Sequence, residues 1–293
     1  LLQLAARWAG RSLSVVYVTG EESVEQVSLR ASRLGLGDAP VSFLTETDTG
    51  RVCELVARHG ANVVVIDSIQ TMTCEELEST AGTVSQVRES AGMLLRHAKE
   101  HNAAVVMVGH VTKDGSLAGP RVLEHMVDTV LSFEGDANYQ YRILRTLKNR
   151  HGPSGEMALF SMSDRGLAEV TNASQGFLHA DGEPQAGAAA VAVVEGTRVM
   201  AVELQALVNR THFGMPQRVA SGINPKRLAL LIAVLERHGG ISLGDHDVFF
   251  NVAGGLSIAE PAVDLGIVAA LCSSHRNRPL GGVGFIGEVG LGG

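Results

Sequence analysis

Apolar positions along the chain fall into two alternating rhythms. Branched residues cluster at 13–19, 41–44, 63–67 and 103–108. The run Val63-Val64-Val65-Ile66 is apolar at every position, as in a strand buried on both faces at the centre of a parallel sheet. Between these runs the apolar spacing changes to three and four. It does so at 23–34 (Val24, Val27, Leu34), at 48–59 behind Asp48 as N-cap, and at 83–101 (Val84, Val87, Ala91, Leu94, Leu95, Ala98). Residues 1–9 carry Leu1, Leu2, Leu4, Ala5 and Trp8 and read as helix. Residues 71–83 are polar, acidic and broken by glycine, and residues 112–120, with Gly115 and Gly119, read as a mobile loop. Strands are expected at 127–133, 139–147 and 156–162 with no helix between them, as an antiparallel meander at a sheet edge. Alternation followed by a meander predicts an α/β core.

Beyond residue 165 the texture changes. Asn172, Ser174, Gly176, Asp181, Gly182, Pro184 and Gly187 make 166–187 a linker. Strands at 188–194 and 198–208 join at Glu195-Gly196-Thr197 as a hairpin. Asn224-Pro225 opens a helix over 226–238, an N-cap followed by proline at the first helical position, and Gly239-Gly240 stops it. A strand at 247–252, a helix at 260–273 and a strand at 283–287 complete a second, α+β domain. The expected organisation is 1–165, 166–187 and 188–293.

The net charge of −7 argues against a protein that coats nucleic acid through its overall field, so any such contact needs a local patch. Cys53, Cys74 and Cys272 lie far apart with no C-x-x-C pair, which fits a reducing compartment. No apolar run reaches membrane-spanning length and no signal-peptide pattern opens the chain, so a cytoplasmic location is expected. The chain begins at Leu1 inside a helical pattern and stops at Gly293 inside a glycine-rich stretch, as expected of a piece cut at both ends.

Candidate chemistry sits at the carboxyl ends of the predicted strands, where open α/β sheets bind ligands. Asp67, followed by Ser68, closes the central strand and is placed to hold Mg²⁺ through its water shell beside a nucleotide. Glu21 follows the first strand, where RecA-type ATPases place the carboxylate that polarises the attacking water; capping the next helix is the alternative. His110 stands at the tip of the fourth strand, a γ-phosphate sensor position or simply a satisfied polar residue. Lys148 and Arg150 are two apart and so share a face of a strand. They could clamp a triphosphate or a nucleic-acid backbone, with Arg142 and Arg145 enlarging the patch, or protect a sheet edge. Lys113 and Arg121 flank the glycine-containing loop and could touch a polyanion or be solvated. No G-x-x-x-x-G-K-[ST] loop occurs in the 293 residues.

Longer motifs carry a resemblance. Tyr17-Val-Thr-Gly-Glu-Glu-Ser23, Val65-Ile-Asp-Ser-Ile-Gln70, the stretch from Met107 through Gly109-His110 to Gly119-Pro120, Leu123-Glu-His125 and Lys148-Asn-Arg150 resemble the bacterial RadA (Sms) family of DNA-repair and recombination proteins. So do Glu195-Gly-Thr-Arg198, Arg237-His-Gly-Gly240 and Gly287-Glu-Val-Gly290, and the likeness covers essentially all 293 residues. It implies a RecA-like P-loop NTPase core with a mostly parallel central sheet, followed by an α+β domain similar to the Lon protease domain (ribosomal protein S5-like). It implies a DNA-dependent, hexameric ATP hydrolase that promotes branch migration with a RecA-type recombinase on single-stranded and branched DNA. Asp67 then matches the Walker B aspartate, Glu21 the catalytic glutamate and His110 the sensor. Lys148 and Arg150 match the K-N-R-F-G motif of trans-acting fingers, with His151 where the family has Phe. ATP and Mg²⁺ are the implied cofactors. The phosphate loop and a four-cysteine Zn²⁺ ribbon would precede Leu1, so this piece alone is expected not to hydrolyse ATP. In the second domain Ala262 stands where Lon carries its nucleophilic Ser, and Ser257 lies off register. A non-proteolytic assembly or DNA-binding module is therefore expected there. For the whole protein, the alternatives to an ATPase motor are a Ser-Lys protease coupled to an ATPase and a non-catalytic scaffold that binds a recombinase and DNA.

Overall fold

Strand β3 (Val63–Asp67) is buried from Val63 to Ile66 and lies between β1 (Val15–Thr19) and β4 (Ala104–Met107). With β2 (Val41–Leu44) outside β1, these strands make a parallel sheet of order β2-β1-β3-β4. The side-chain period of two divides it cleanly. Val16, Val18, Val64 and Ile66 pack beneath α3 (Thr49–His59) and α4 (Val84–His101). Val15, Tyr17, Val63 and Val65 pack beneath α1 (Leu2–Ala9) and α2 (Val24–Arg33). Val64, Val65 and Ile66 are fully buried, which contributes about 1.5–3 kcal/mol for each side chain. β4 is less buried than its apolar run predicts, because it ends the sheet and has a neighbour on one side only.

The computed structural model describes residues 1–110, 122–135, 141–171, 174, 177–178, 184–212 and 214–293. They form two compact units. The first comprises Leu1–Val130, Lys148–His151 and Ser163–Gly166; the second comprises Leu131–Leu147, Gly152–Met162 and Leu167–Gly293.

Local signals start and stop the helices as read. Ser23 and Gln26 exchange side-chain bonds to each other's backbone N–H at the head of α2. Asp48 caps α3 by accepting from the Arg51 N–H at 2.7 Å, and Gly60, at φ 65°, ends it in the left-handed conformation that glycine adopts without strain. The loop after β3 is tied down from α4. Gln86, buried, accepts from the Cys74 N–H at 2.8 Å and donates to the Leu77 and Ser79 carbonyls at 3.1 and 2.8 Å.

The meander is a sheet of its own rather than an extension of the parallel one. Its order is β5 (Thr129–Glu134), β6 (Tyr141–Asn149), β7 (Met157–Ser163), β8 (Gly166–Glu169), preceded by the short helix α5 (Val122–Met126). β8 falls in the stretch whose composition reads as a linker.

A five-stranded sheet of order β11-β12-β10-β9-β13 dominates the second unit. β9 (Ala188–Glu195) and β10 (Arg198–Arg210) form the expected hairpin about Gly196-Thr197. β12 (His246–Val252) pairs antiparallel to β10. β11 (Arg218–Ser221) pairs parallel to β12, and β13 (Gly284–Phe285) pairs parallel to β9. α6 (Pro225–His238), capped by Asn224, and α7 (Asp264–Arg276) cover one face. Leu228, Leu231, Ile232, Ile267 and Leu271 pack there against Val191, Val202, Leu204 and Phe250. The helix expected over 260–273 begins as a 3₁₀ turn at Pro261–Val263. All three cysteines are free thiols.

Candidate active site

The chain turns sharply where β1 ends. Thr19 Oγ1 accepts from the Glu22 N–H at 3.0 Å, and Gly20 N–H donates to the Asp67 carbonyl at 3.0 Å, tying the exits of β1 and β3 together. Gly20 is required by space: a Cβ there would lie 2.1 Å from Thr71 Oγ1 and 2.7 Å from Thr71 Cβ. The turn delivers Glu21 to the strand tips. Ser68 Oγ, fully buried, donates to Glu21 Oε1 at 2.6 Å, and His110 Nε2 lies 3.2 Å from the same oxygen. Glu21 is 42 % exposed and His110 58 %, so the carboxylate is anchored from below and open above. The Ser68 hydrogen bond holds the Glu21 carboxyl below its usual range; burial opposes this in part, and the His110 hydrogen bond reinforces it.

Asp67 shares the face of Val63 and Val65, by strand alternation. Its Oδ2 accepts a hydrogen bond from the Tyr17 hydroxyl. His110 is steadied from the backbone. Val108 N–H donates to Ile66 O and Ile69 N–H to Val108 O, both at 2.9 Å, and Gln70 Nε2 donates to His110 O at 3.4 Å. Glu21, Ser68 and His110 thus meet directly, and Asp67 adjoins Ser68 in the chain. Two participants escaped the sequence reading. Tyr17 stood only as part of the first strand and of the motif ending at Ser23, although its parity with Asp67 across paired strands was a usable signal. Gln70 carried no local signal beyond its motif.

Lys148 lies near the end of β6 and Arg150 just beyond it, and both reach back to the segment from Glu124 to Asp128. Lys148 Nζ donates to the Glu124 and Val127 carbonyls at 2.6 and 2.7 Å, closing the end of α5. Arg150 donates to Asp128 Oδ1 at 3.0 Å and to the His125 carbonyl at 3.2 Å. Arg145 does not enlarge this patch as expected: its guanidinium pairs with Glu195, leaving it 21 % exposed. Arg142 donates to the Tyr141 carbonyl. Lys113 and Arg121 lie outside the described residues.

The model of the AAA domain family matches residues 1–116. Along nearly the whole chain the similarity is to DNA repair proteins RadA. The protein from Pseudomonas aeruginosa is 50 % identical over 296 residues, covering 99 % of this chain and 65 % of its own. Those from Haemophilus influenzae and Bacillus subtilis are each 48 % identical, covering 100 % and 99 % of this chain and 64 % of their own. The chain belongs to the RadA family. It spans about 65 % of the length of these curated relatives. Among solved structures, a KaiC-like protein from Pyrococcus horikoshii OT3 overlaps 57 % of this chain and 81 % of its own, with TM-score 0.46 and 17 % identity. The core is RecA-like, with a parallel sheet and flanking helices.

The donor set at the strand ends of this RadA-family chain is all oxygen on the metal side: Asp67, with Ser68 and Glu21 beside it. No group of three or more His, Cys, Asp or Glu is arranged to hold a metal among the described residues. The oxygen donors of Asp67, Ser68 and Glu21 suit Mg²⁺, which keeps several waters and takes one or two carboxylates together with substrate phosphates. In the second unit, the Ala262 carbonyl accepts from Gly287 N–H at 2.7 Å. Ser257 is exposed and makes no hydrogen bond to a basic group among the described residues. No helix among the described residues is long and apolar enough to cross a membrane.

Proposed function

We propose that the full-length protein is a DNA-dependent ATPase motor of recombinational DNA repair. It promotes branch migration and processing of recombination intermediates together with a RecA-type recombinase, as a cytoplasmic homohexamer on single-stranded and branched DNA. The observation that carries the reading is the Glu21 carboxylate, fixed between buried Ser68 and exposed His110 beside Asp67. The RadA relatives support the repair context.

In this reading Asp67 would hold Mg²⁺ through its waters, with Ser68 on the same side, and the metal would make the γ-phosphoryl group of ATP more electrophilic. Glu21, kept ionised by Ser68, accepts a proton from the attacking water, a role worth about 10²–10⁴-fold in rate. His110 reports the state of the γ-phosphate to Glu21 through their shared contact. Lys148 and Arg150 serve as basic fingers for a neighbour's nucleotide and, with Lys113 and Arg121, contact the DNA backbone. Residues 1–293 alone do not turn over ATP, because they contain no G-x-x-x-x-G-K-[ST] phosphate loop. Residues 188–293 form a Lon-like module without peptidase activity.

The test is Glu21→Gln in the full-length protein. DNA-stimulated ATP hydrolysis is expected to fall about 10²–10⁴-fold while nucleotide binding persists. Turnover at the parent rate would overturn the assignment. Mixing Arg150→Ala with Asp67→Ala subunits tests the trans fingers: partial recovery of turnover supports them, and a flat mixing curve with intact hexamers removes them.

A further inference from the structure

Tyr17 is an unusual occupant of its position. Its ring is 1 % exposed and lies among Val15, Val27, Val63 and Val65, with Phe43 tilted against it at 5.8 Å between centroids. A phenylalanine would fill that apolar site equally well. The hydroxyl is the difference, and it does not lie idle in the core. Tyr17 pairs with Val65 in the parallel register, while Thr19 pairs with Asp67. Tyr17 therefore sits two residues short of Asp67 on the adjacent strand and on the same face. Its length carries the hydroxyl along the sheet to the strand end, where it donates to Asp67 Oδ2.

We infer that Tyr17 is a positioning residue for the metal site: its hydroxyl occupies Oδ2 of Asp67 and turns the remaining carboxylate oxygen toward the hydrated Mg²⁺ of the nucleotide. This inference rests on the nucleotide-binding reading of Asp67 and extends it inward by one shell. A free carboxylate at a strand end rotates about its terminal torsion, which is broad and roughly two-fold. A donor fixed in a close-packed core removes that freedom. Partners of this kind, one step behind a metal-binding carboxylate, typically change metal affinity or activity by about 10–100-fold. The role is positional throughout: Tyr17 lies behind Asp67 and is closed to solvent, so it does not meet the reacting atoms.

The experiment is a Mg²⁺ titration of fluorescent-ATP binding to the full-length protein, with thermal unfolding measured in parallel. Three variants are compared with the parent. Asp67→Asn reports whether Asp67 governs the metal dependence at all. Tyr17→Phe removes only the hydroxyl. Phe43→Leu loosens the ring's packing and keeps the hydroxyl. The expected result is a roughly 10–100-fold higher Mg²⁺ requirement for Tyr17→Phe, in the direction of Asp67→Asn. Nucleotide binding without metal should be unchanged, and Phe43→Leu should match the parent's Mg²⁺ requirement. If Asp67→Asn raises the requirement and Tyr17→Phe does not, the role of Tyr17 is overturned while the nucleotide reading survives. If Phe43→Leu raises it as much as Tyr17→Phe, packing rather than the hydrogen bond is responsible, and the inference fails. If Asp67→Asn itself has no effect, the reading of Asp67 fails and the inference falls with it. A Tyr17→Phe protein that melts early but keeps the parent's Mg²⁺ requirement also overturns it.

Discussion

Two carboxylates with specific partners, Asp264 in the second unit and Glu21 in the first, are built to opposite ends. Asp264 in the second unit is 1 % exposed and closed on every side. Arg227 donates through Nε to Oδ1 at 2.9 Å and through Nη2 to Oδ2, and the Val289 N–H adds a bond to Oδ2 at 3.1 Å. Glu21 in the first unit has a buried hydroxyl on one flank, an exposed imidazole on the other, and is 42 % exposed. Asp264 binds the chain to itself, fastening the backbone at Val289 to the start of α7. Glu21 is fixed in direction but left with lone pairs facing outward. A satisfied buried carboxylate serves architecture; one anchored on a single side keeps capacity for an incoming molecule.

Removing Asp264 should give the largest effect on stability. Asp264→Ala leaves the Arg227 guanidinium facing an apolar gap, and breaking a buried pair from one side costs about 3–5 kcal/mol. Because Arg227 remains 31 % exposed, about 3 kcal/mol is expected, measured by denaturant unfolding. Replacing both partners, Asp264→Leu with Arg227→Met, should restore most of it. A single mutant as stable as the parent would erase the contrast between the two carboxylates.

Gly20→Ala comes next. The new Cβ displaces Thr71, whose hydroxyl donates to the Ser68 carbonyl at 2.8 Å. Overpacking of this kind costs about 1–3 kcal/mol. The shift should also move Ser68 away from Glu21, so ATP turnover in the full-length protein should fall by more than the stability loss explains. Equal losses would mean that the strand-end turn is purely structural.

The smallest expected effect is the most specific. Ser68→Ala removes the main cause of the low Glu21 pKa. The acid limb of the pH–rate profile should then move to higher pH. The sign for stability follows from the same shift. A carboxyl depressed in the folded state stabilises the fold above its unfolded value, and that contribution fades as pH falls through the folded value. Ser68→Ala should therefore lose a little stability at neutral pH and none at strongly acidic pH. An acid limb that stays in place would show that Glu21 does not control the rate.

Much of this was legible in the chain itself. β3 announces itself through four successive branched residues, and Ser23, Asp48 and Asn224 mark helix starts with capping chemistry that acts over two or three residues. Glu21, Asp67 and His110 were placed at strand tips because strand ends can be read from where the apolar runs stop. What stayed hidden depends on contacts distant in sequence. β11 is four residues long and owes its existence to pairing with β12. The meander's separation from the parallel sheet, and the engagement of Arg145 by Glu195, 50 residues away, leave no local mark. The carbonyl partners of Lys148 are equally silent, since any residue provides a carbonyl.

Those partners have a consequence that can be counted in protons. An ammonium group has three N–H bonds. Lys148 commits two of them to the carbonyls of Glu124 and Val127. An arriving phosphate can take the third and leave α5 intact. A second bond to the phosphate must be withdrawn from one of those carbonyls, so the last turn of α5 and the grip on the anion become alternatives. The stoichiometry of one side chain thereby links anion contact at the end of β6 to the integrity of a five-residue helix.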